Sequence, residues 1–264
     1  ETTSTGIVKT KVVVPGTLSS FKGINLPNTK ISLPCLTTKD KKDLKFILNE
    51  KIEWLALSFV REAEDLISLK RILKKNKSNI GVIAKIEKPE AVKNIEEIVD
   101  QADALMVARG DLGVEIPAYR VPAIQKLIVK KSVAKSRPVI IATQMLESMT
   151  HNPVATRAEV NDVANSVIDG ADAVMLSGET SVGKFPVKTV ETMRGIIRDI
   201  EKSEYTFKPP APKRKEVPEE LPIFCRISAI DGQKNGWTIL DSIKLAKTLN
   251  NLGVDVIDCS SGGI

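Results

Sequence analysis

Lys85 and Glu87 stand two residues apart at the carboxyl end of the apolar run IGVIAKIE, residues 80–87. Side chains on a strand alternate between faces, so Ile83, Lys85 and Glu87 point one way and Val82, Ala84 and Ile86 the other. A strand covered by helices is buried on both faces and reads as a nearly continuous apolar run. A lysine and a glutamate at its end therefore need a reason, because unpaired buried charge is costly or forces a pKa shift. Two reasons are open: a structural ion pair at the strand tip, or a reactive site, since parallel barrels carry their sites at the carboxyl ends of the strands. The next apolar strand, Ala104 to Val107, runs into Arg109-Gly110-Asp111 and Leu112-Gly113. This stretch reads as a turn whose glycines permit close backbone approach and whose N–H groups can face an anion. A lone Arg-Gly-Asp is commonly a surface turn. Here Asp111 adds a second carboxylate at the end of the neighbouring strand. Two such carboxylates suit Mg²⁺ bridging a phosphorylated substrate, because Mg²⁺ takes one or two carboxylates and completes its shell with substrate oxygens and water.

The elements that must position these residues alternate. Apolar strand candidates lie near 54–59, 80–86, 104–108, 138–143, 173–176, 223–229 and 254–258. Helical patterns lie between them, near 38–49, 62–75, 90–100, 122–135, 157–168, 187–201 and 239–251. Regular β-α alternation implies parallel strands joined by right-handed crossovers. Thr37 caps the first helix, with Asp40 in its first turn, and Pro89 and Pro186 sit where a first-turn proline is tolerated. Gly170-Ala171-Asp172 and Gly253-Val254-Asp255 predict the same short turn from helix to strand. Residues 1–25 differ, reading as short β segments joined by Pro-Gly. Residues 6–14 are a candidate further strand. KPPAPKRKEVPEE, rich in proline and charge, reads as a linker over 208–220.

Composition bounds the function. The 264 residues are 42% hydrophobic and 27% charged, ordinary for a globular chain. No apolar run approaches the roughly 18–20 residues of a membrane span, and ETTSTGIVKT lacks the basic start and apolar core of a signal peptide, so a cytoplasmic location is expected. Cys35, Cys225 and Cys259 are widely spaced, which predicts reduced, buried thiols rather than disulfides or zinc. His151, the only histidine, lies in the polar loop THNP and reads as a surface residue. The net charge is +6 and aromatics are only 4%. The Lys-rich runs 39–45, 70–77 and 130–137 fall on helical or loop stretches and read as solvated helix faces, so neither nucleic acid nor membrane is expected as a partner. A positive barrel mouth also attracts anionic phosphates.

VIAKIEKPEAV (82–92), MVARGDLGVEIP (106–117), VIIATQMLESM (139–149), TRAEVNDVANSVIDGADAVMLSGET (156–180) and KGINLP (22–27) together resemble the pyruvate kinase family, from about residue 5 to about residue 205. The resemblance implies a TIM-type (β/α)₈ barrel carrying a small β cap domain. It implies transfer of the phosphoryl group of phosphoenolpyruvate to ADP, giving pyruvate and ATP in glycolysis, with Mg²⁺ (or Mn²⁺) and K⁺, in a homo-oligomer. By the same resemblance, Lys85 touches the transferring phosphate and stabilises the enolate of pyruvate. Glu87 and Asp111 hold the metal, while Ala108, Arg109, Gly110 and Asp111 line the substrate. Thr143 lies near the enolate carbon and is linked to its protonation. Ser177 and Glu179 close another strand and are not expected to act directly.

Part of the family pattern has no match in this sequence. The family's first three barrel strands, most of its cap, an arginine on the substrate phosphate and most of the K⁺ ligands are unmatched. An impaired catalyst is therefore expected, with an inactive or engineered composite scaffold as the alternative. Residues 221–263 resemble instead one strand-helix-strand unit of the old yellow enzyme family of flavin-dependent ene-reductases, in which Arg226 matches an arginine against the flavin. Its other reading is a charge paired with Asp231 or Asp258 at the barrel rim. A flavin-dependent oxidoreductase is a third possibility, but FMN is not expected, because the other flavin contacts fall outside the match. The fold expectation is thus a partial or composite α/β barrel: residues 1–25 a cap remnant, 26–207 the main barrel portion, 208–220 the linker and 221–264 a final β-α-β unit.

Overall fold

The structure, a computed structural model, describes residues 10–16, 34–203 and 238–254, together with the backbone of the strands Thr3–Ser4, Ile7–Val8, Ile223–Ser228 and Val256–Ser260. The first two strands, β1 (Thr3–Ser4) and β2 (Ile7–Val8), form an antiparallel ribbon of their own. Thereafter the order is α1 (Thr38–Ile47), β3 (Trp54–Leu57), α2 (Ala63–Lys75), β4 (Gly81–Ile86), α3 (Pro89–Lys93), α4 (Ile95–Gln101) and β5 (Ala104–Ala108). It continues with α5 (Arg109–Glu115), α6 (Val121–Ala134), β6 (Val139–Ala142), α7 (Arg157–Ile168), β7 (Ala173–Leu176), α8 (Gly178–Ser181), α9 (Pro186–Lys202), β8 (Ile223–Ser228), α10 (Ile239–Asn251) and β9 (Val256–Ser260). Short 3₁₀ turns lie at Ala118–Arg120 and Glu147–Thr150. Strands β3 to β9 form one parallel sheet in sequence order.

The two faces of this sheet are different, and that difference defines a partial TIM-type barrel. Val82, Ala84, Ile86, Leu105, Val107, Ile141 and Val174 pack outward into the core that holds the helix residues Leu66, Leu69, Ile98, Ile128, Val163 and Met193. The opposite face forms a separate cluster made of strand residues alone: Ile83, Ala104, Met106, Ile140, Ala142, Ala173 and Met175. A doubly wound sheet packs helices on both faces. Here helices cover one face, and the other closes on its own side chains, as a barrel interior does.

Local chemistry explains the helix limits. Thr37, Thr156 and Thr238 each accept a hydrogen bond from the backbone N–H three residues on, and Asp40, Glu159 and Asp241 each accept one from the cap residue's own N–H. These capping boxes satisfy orphan donors at the starts of α1, α7 and α10. Pro89 and Pro186 open α3 and α9. Gly170 and Gly253 both take positive φ, 94° and 85°, and Ala171 and Val254 each donate back to the carbonyl five residues earlier. The two helix-to-strand turns are therefore the same structure.

Several expectations change. The helix expected over 90–100 is two, α3 and α4, broken at Asn94, whose side-chain amide donates to the Arg61 carbonyl 2.9 Å away. Residues 10–16 form no strand; Val12, Val13 and Val14 are exposed. Ile7–Val8 pairs with Thr3–Ser4, so among the described residues 6–14 add nothing to the barrel sheet. The linker at 208–220 lies outside the described residues. The Lys-rich runs do sit on helix faces, where Lys39 pairs with Asp43, Lys70 with Asp103, Lys131 with Glu96 and Lys135 with Asp100. His151 is exposed. Cys35 is a free, half-buried thiol donating to the Ser58 carbonyl, and burial pushes its pKa up to about 12. No described helix is long and apolar enough to cross a membrane.

At the amino end of the sheet, Asp103 and Asp172 repeat one device. Each accepts from an N–H near the start of the preceding strand, Val82 or Val139, at 2.9 Å, and returns its own N–H to the same residue's carbonyl. Val139 is fully buried, so removing its acceptor strands a donor. Asp172→Ala is expected to lower the unfolding free energy by about 1–3 kcal/mol. Urea denaturation followed by circular dichroism checks this, and an unchanged midpoint contradicts it.

Candidate functional site

The strand register brings the carboxyl ends of β3 to β7 to one level. Lys85 is paired in register with Met106, and Met106 with Ile140, so Lys85 lies on the inner face, in the layer above Ile83. Its ammonium is 2.6 Å from Glu87 Oε1 and donates to Ser58 Oγ at 2.8 Å. The pair is deeply placed, with side-chain exposures of 14% for Lys85 and 2% for Glu87. Glu87 uses its other oxygen as well: Oε2 accepts from the Phe59 N–H at 2.7 Å. Phe59 has φ 57°, a left-handed conformation that is costly for an aromatic residue. Its ring lies under the Lys88 ammonium, 5.6 Å from the centroid. Lys88 in turn pairs with Glu115 at the end of α5.

Arg109-Gly110-Asp111 is not a turn. Helix α5 starts at Arg109, directly after β5, with Ala108 as its cap residue. Two glycines disfavour a helix, but burial of Leu112 and the bond from Gly110 N–H to Thr143 Oγ1, 2.7 Å, hold it. The fit at Gly110 is tight: a Cβ there would lie 3.3 Å from Thr143 Oγ1, so the threonine side chain would have to give by a few tenths of an ångström. Asp111 falls on the first turn of α5 and is exposed.

Thr143, expected as the last residue of a strand, lies one residue past β6 with φ 71°, and Gln144 follows with φ 53°. Its hydroxyl donates to the Ala142 carbonyl and accepts from Gly110. The Arg109 guanidinium is turned onto this loop. It donates to the Thr143 carbonyl at 2.8 Å and the Gln144 carbonyl at 3.2 Å, and pairs with Asp162 of α7 at 2.7 Å. Glu179 is fully buried and accepts three backbone bonds, from Met145, Leu146 and Ser177. The Ser177 hydroxyl is buried. Arg226 stands opposite Asp258 in the β8–β9 register; Asp231 lies outside the described residues. A cleft of about 680 Å³ opens beside the site between α6 and α7, bordered by Arg109, Gly110, Gln125, Gln144, Asn161 and Asp162.

Ser58, Phe59 and Asp162 were not singled out from sequence. For Ser58 a signal existed: it continues the inward alternation of Ala56 and falls level with Lys85. Asp162 meets Arg109 across 53 residues and leaves no local trace.

A family model, the barrel domain of pyruvate kinase, matches residues 1–190. The chain belongs to the pyruvate kinase family. It is 52% identical over 192 residues to the pyruvate kinase of Geobacillus stearothermophilus, covering 72% of this chain and 33% of that one. It is 50% identical over 189 residues to that of Staphylococcus aureus, covering 72% and 32%. It is 43% identical over 242 residues to pyruvate kinase 2 of Synechocystis sp., covering 92% and 41%. The chain thus spans about a third to two-fifths of the length of these pyruvate kinases. An alignment of 242 residues necessarily runs into residues 221–263. A pyruvate kinase relative therefore reaches this segment, and neither the ene-reductase resemblance nor the composite reading gains support.

Glu159 carries a pH signature. Burial raises its pKa, but bonds from the Ser148 and Thr156 hydroxyls and N–H groups outweigh that and hold it below the ordinary value. A depressed carboxylate adds stability that is present above its unfolded pKa and is lost as pH falls through the folded one. The stability difference between wild type and Glu159→Gln is expected to be constant near neutral pH and to vanish in acid. Urea midpoints from pH 7 to pH 3, used as ~1-unit steps across the carboxylate range, check this, and a difference that persists at the acid end contradicts it.

Proposed function

We propose that this chain carries the enolate-handling part of a pyruvate kinase site, acting on phosphoenolpyruvate and ADP in glycolysis, in the cytoplasm. The observation that carries the reading is the Lys85 ammonium, held by Glu87 and Ser58 at the inner end of β4. It is one strand from the α5 start and two from Thr143. In the overall reaction the bond from phosphorus to the enol oxygen breaks. A bond forms to the terminal oxygen of ADP, and the enolate left behind takes a proton at its methylene carbon to become pyruvate. Lys85 provides positive charge where the bridging oxygen becomes anionic, in a site largely withdrawn from water, where a fixed charge counts most. The Thr143 hydroxyl, just past the end of β6, is oriented by the Ala142 carbonyl and Gly110 N–H. This arrangement suits a group that relays a proton to the enolate carbon.

The donor set fits a hard divalent cation. Glu87 and Asp111 offer only oxygens, and each Glu87 oxygen that accepts one hydrogen bond keeps a lone pair. Among the described residues no group of three or more His, Cys, Asp or Glu side chains is placed to hold a metal. Glu87 and Asp111 alone would leave most of the shell of Mg²⁺ or Mn²⁺ to substrate oxygens and water, as such ions accept. A divalent cation held by Glu87 and Asp111 would supply charge neutralisation for the phosphoryl oxygens. We assign no residue of this chain to K⁺.

The partial reaction isolates these residues. Pyruvate is expected to exchange its methyl protons with D₂O in the presence of the chain and Mg²⁺, and Lys85→Met is expected to slow this by about 10²–10³. Proton NMR of pyruvate measures it directly. Coupled turnover of phosphoenolpyruvate and ADP is expected to fall below the usual ~1–10³ per second, because Arg109 and Lys88 are committed to Asp162 and Glu115, leaving Lys85 and the metal to meet a transfer that spreads charge over three oxygens. Exchange equal in wild type and Lys85→Met contradicts the reading and leaves a barrel without the activity.

A further inference from the structure

We propose that Glu179 is a positioning residue for Thr143: its buried carboxylate, opposed by the Arg109–Asp162 pair, holds residues 143–146 in the conformation that sets the Thr143 hydroxyl on Gly110. The role of Thr143 itself rests on the function proposed above; the clamp rests on geometry. The loop after β6 has two successive left-handed residues, Thr143 and Gln144. A β-branched residue in that region is an outlier and persists only where its surroundings over-determine it. The surroundings are two opposite charges gripping the two kinds of backbone group. Arg109 takes the carbonyls, from Nη2 and Nε to Thr143 O at 2.8 and 3.3 Å and from Nη2 to Gln144 O at 3.2 Å. Glu179 Oε1 takes the N–H groups, from Met145 at 3.1 Å and Leu146 at 3.3 Å. Each grip is itself fixed. Asp162 holds the guanidinium from α7 at 2.7 Å, and the Ser177 N–H holds Glu179 Oε2 at 2.7 Å.

The β3 end repeats half of this device. Phe59 is left-handed and gives its N–H to Glu87, a buried glutamate at the end of the next strand. Glu179 likewise lies just past the end of β7, the strand next to β6. A glutamate serving only to cap α8 would need the Ser177 bond alone. The two bonds to Met145 and Leu146, from a side chain with no exposure, tie it instead to the loop that aims Thr143. Glu179 makes no direct bond to Gly110; the loop it holds reaches Gly110 through the Thr143 hydroxyl and through the contacts of Arg109, the residue before Gly110, with Gln144 and Met145.

That separation supplies the test. In ¹H–¹⁵N spectra of the full chain, Glu179→Gln is expected to move the Gly110 amide upfield. Its exchange with D₂O should quicken by about tenfold, the loss of one ordinary hydrogen bond. The amides of Val107 and Ile141 in the strands should keep their positions. Asp162→Asn, on the opposite side of the clamp and partly exposed, is expected to move the same amide through Arg109 and tests that arm alone. Glu179→Asp, which shortens the reach to Met145 and Leu146 but keeps the charge, carries the test of Glu179 if Glu179→Gln does not fold. Pyruvate methyl exchange should slow by about 10²-fold in Glu179→Gln and in Asp162→Asn, through kcat, with KM for pyruvate little changed. A Gly110 amide that stays in place in the folded Glu179 variant overturns the positioning role whatever the wild-type activity. A Gly110 amide that moves in a chain inert toward pyruvate supports the clamp and removes the functional reading.

Discussion

Burying the Lys85–Glu87 pair is costly, and the carboxyl ends of the neighbouring strands are arranged around that cost. Withdrawing two ions from water is a penalty of several kcal/mol for each, recovered only when the geometry is good and the remaining polar atoms are bonded. Here every requirement is met by a strand end. The ammonium reaches both Glu87 and Ser58, and the second Glu87 oxygen takes the Phe59 N–H. Removing the lysine alone would leave a buried carboxylate with one backbone donor. The pair is thus held as a unit, with its positive member directed at the inner face of the barrel, where Met106 and Ile83 exclude water below it.

Energy is also stored in the backbone around the pair. Phe59, Thr143 and Gln144 all have positive φ, each costing about 1–3 kcal/mol. All three lie one or two residues past the carboxyl end of a strand, at the end of the barrel that faces the site. The described non-glycine residues outside this rim that share the conformation, Lys77 and Ser136, are at helix exits, where a left-handed residue ends a helix in the ordinary way. Strain at the rim is opposed by charge: buried carboxylates on N–H groups and a guanidinium on carbonyls. Such bonds to ionised groups are stronger than neutral ones, which is what a loop in an unfavourable conformation needs in order to stay there.

Much of this was legible in the sequence. The alternation in IGVIAKIE places Lys85 and Glu87 on the face opposite Val82, Ala84 and Ile86, and the register and the two apolar clusters show that division. Thr37, Pro89, Pro186 and the two Gly-X-Asp turns mark their elements through local chemistry, which sequence displays directly. What was hidden depends on contacts far apart in the chain. Two glycines made residues 109–113 read as a turn, because the helix there is held by tertiary contacts at Leu112 and Thr143. The Arg109 side chain, matched only as part of a substrate-binding turn, is committed to Asp162 and two carbonyls. Glu179 looked like a strand-end residue of little consequence until its three backbone donors were placed. The break at Asn94 depends on the Arg61 carbonyl, on a different element.

The proposed function makes Glu87 and Asp111, from adjacent strand ends, joint ligands of a divalent cation beside Lys85. Mn²⁺ binding, followed by water-proton relaxation, tests it most directly, since it needs neither substrate nor turnover. The account predicts Mn²⁺ binding by the wild-type chain that disappears in Glu87→Gln/Asp111→Asn, with the far-ultraviolet circular dichroism of the two proteins superimposable. Equal Mn²⁺ binding by wild type and the double variant would contradict it.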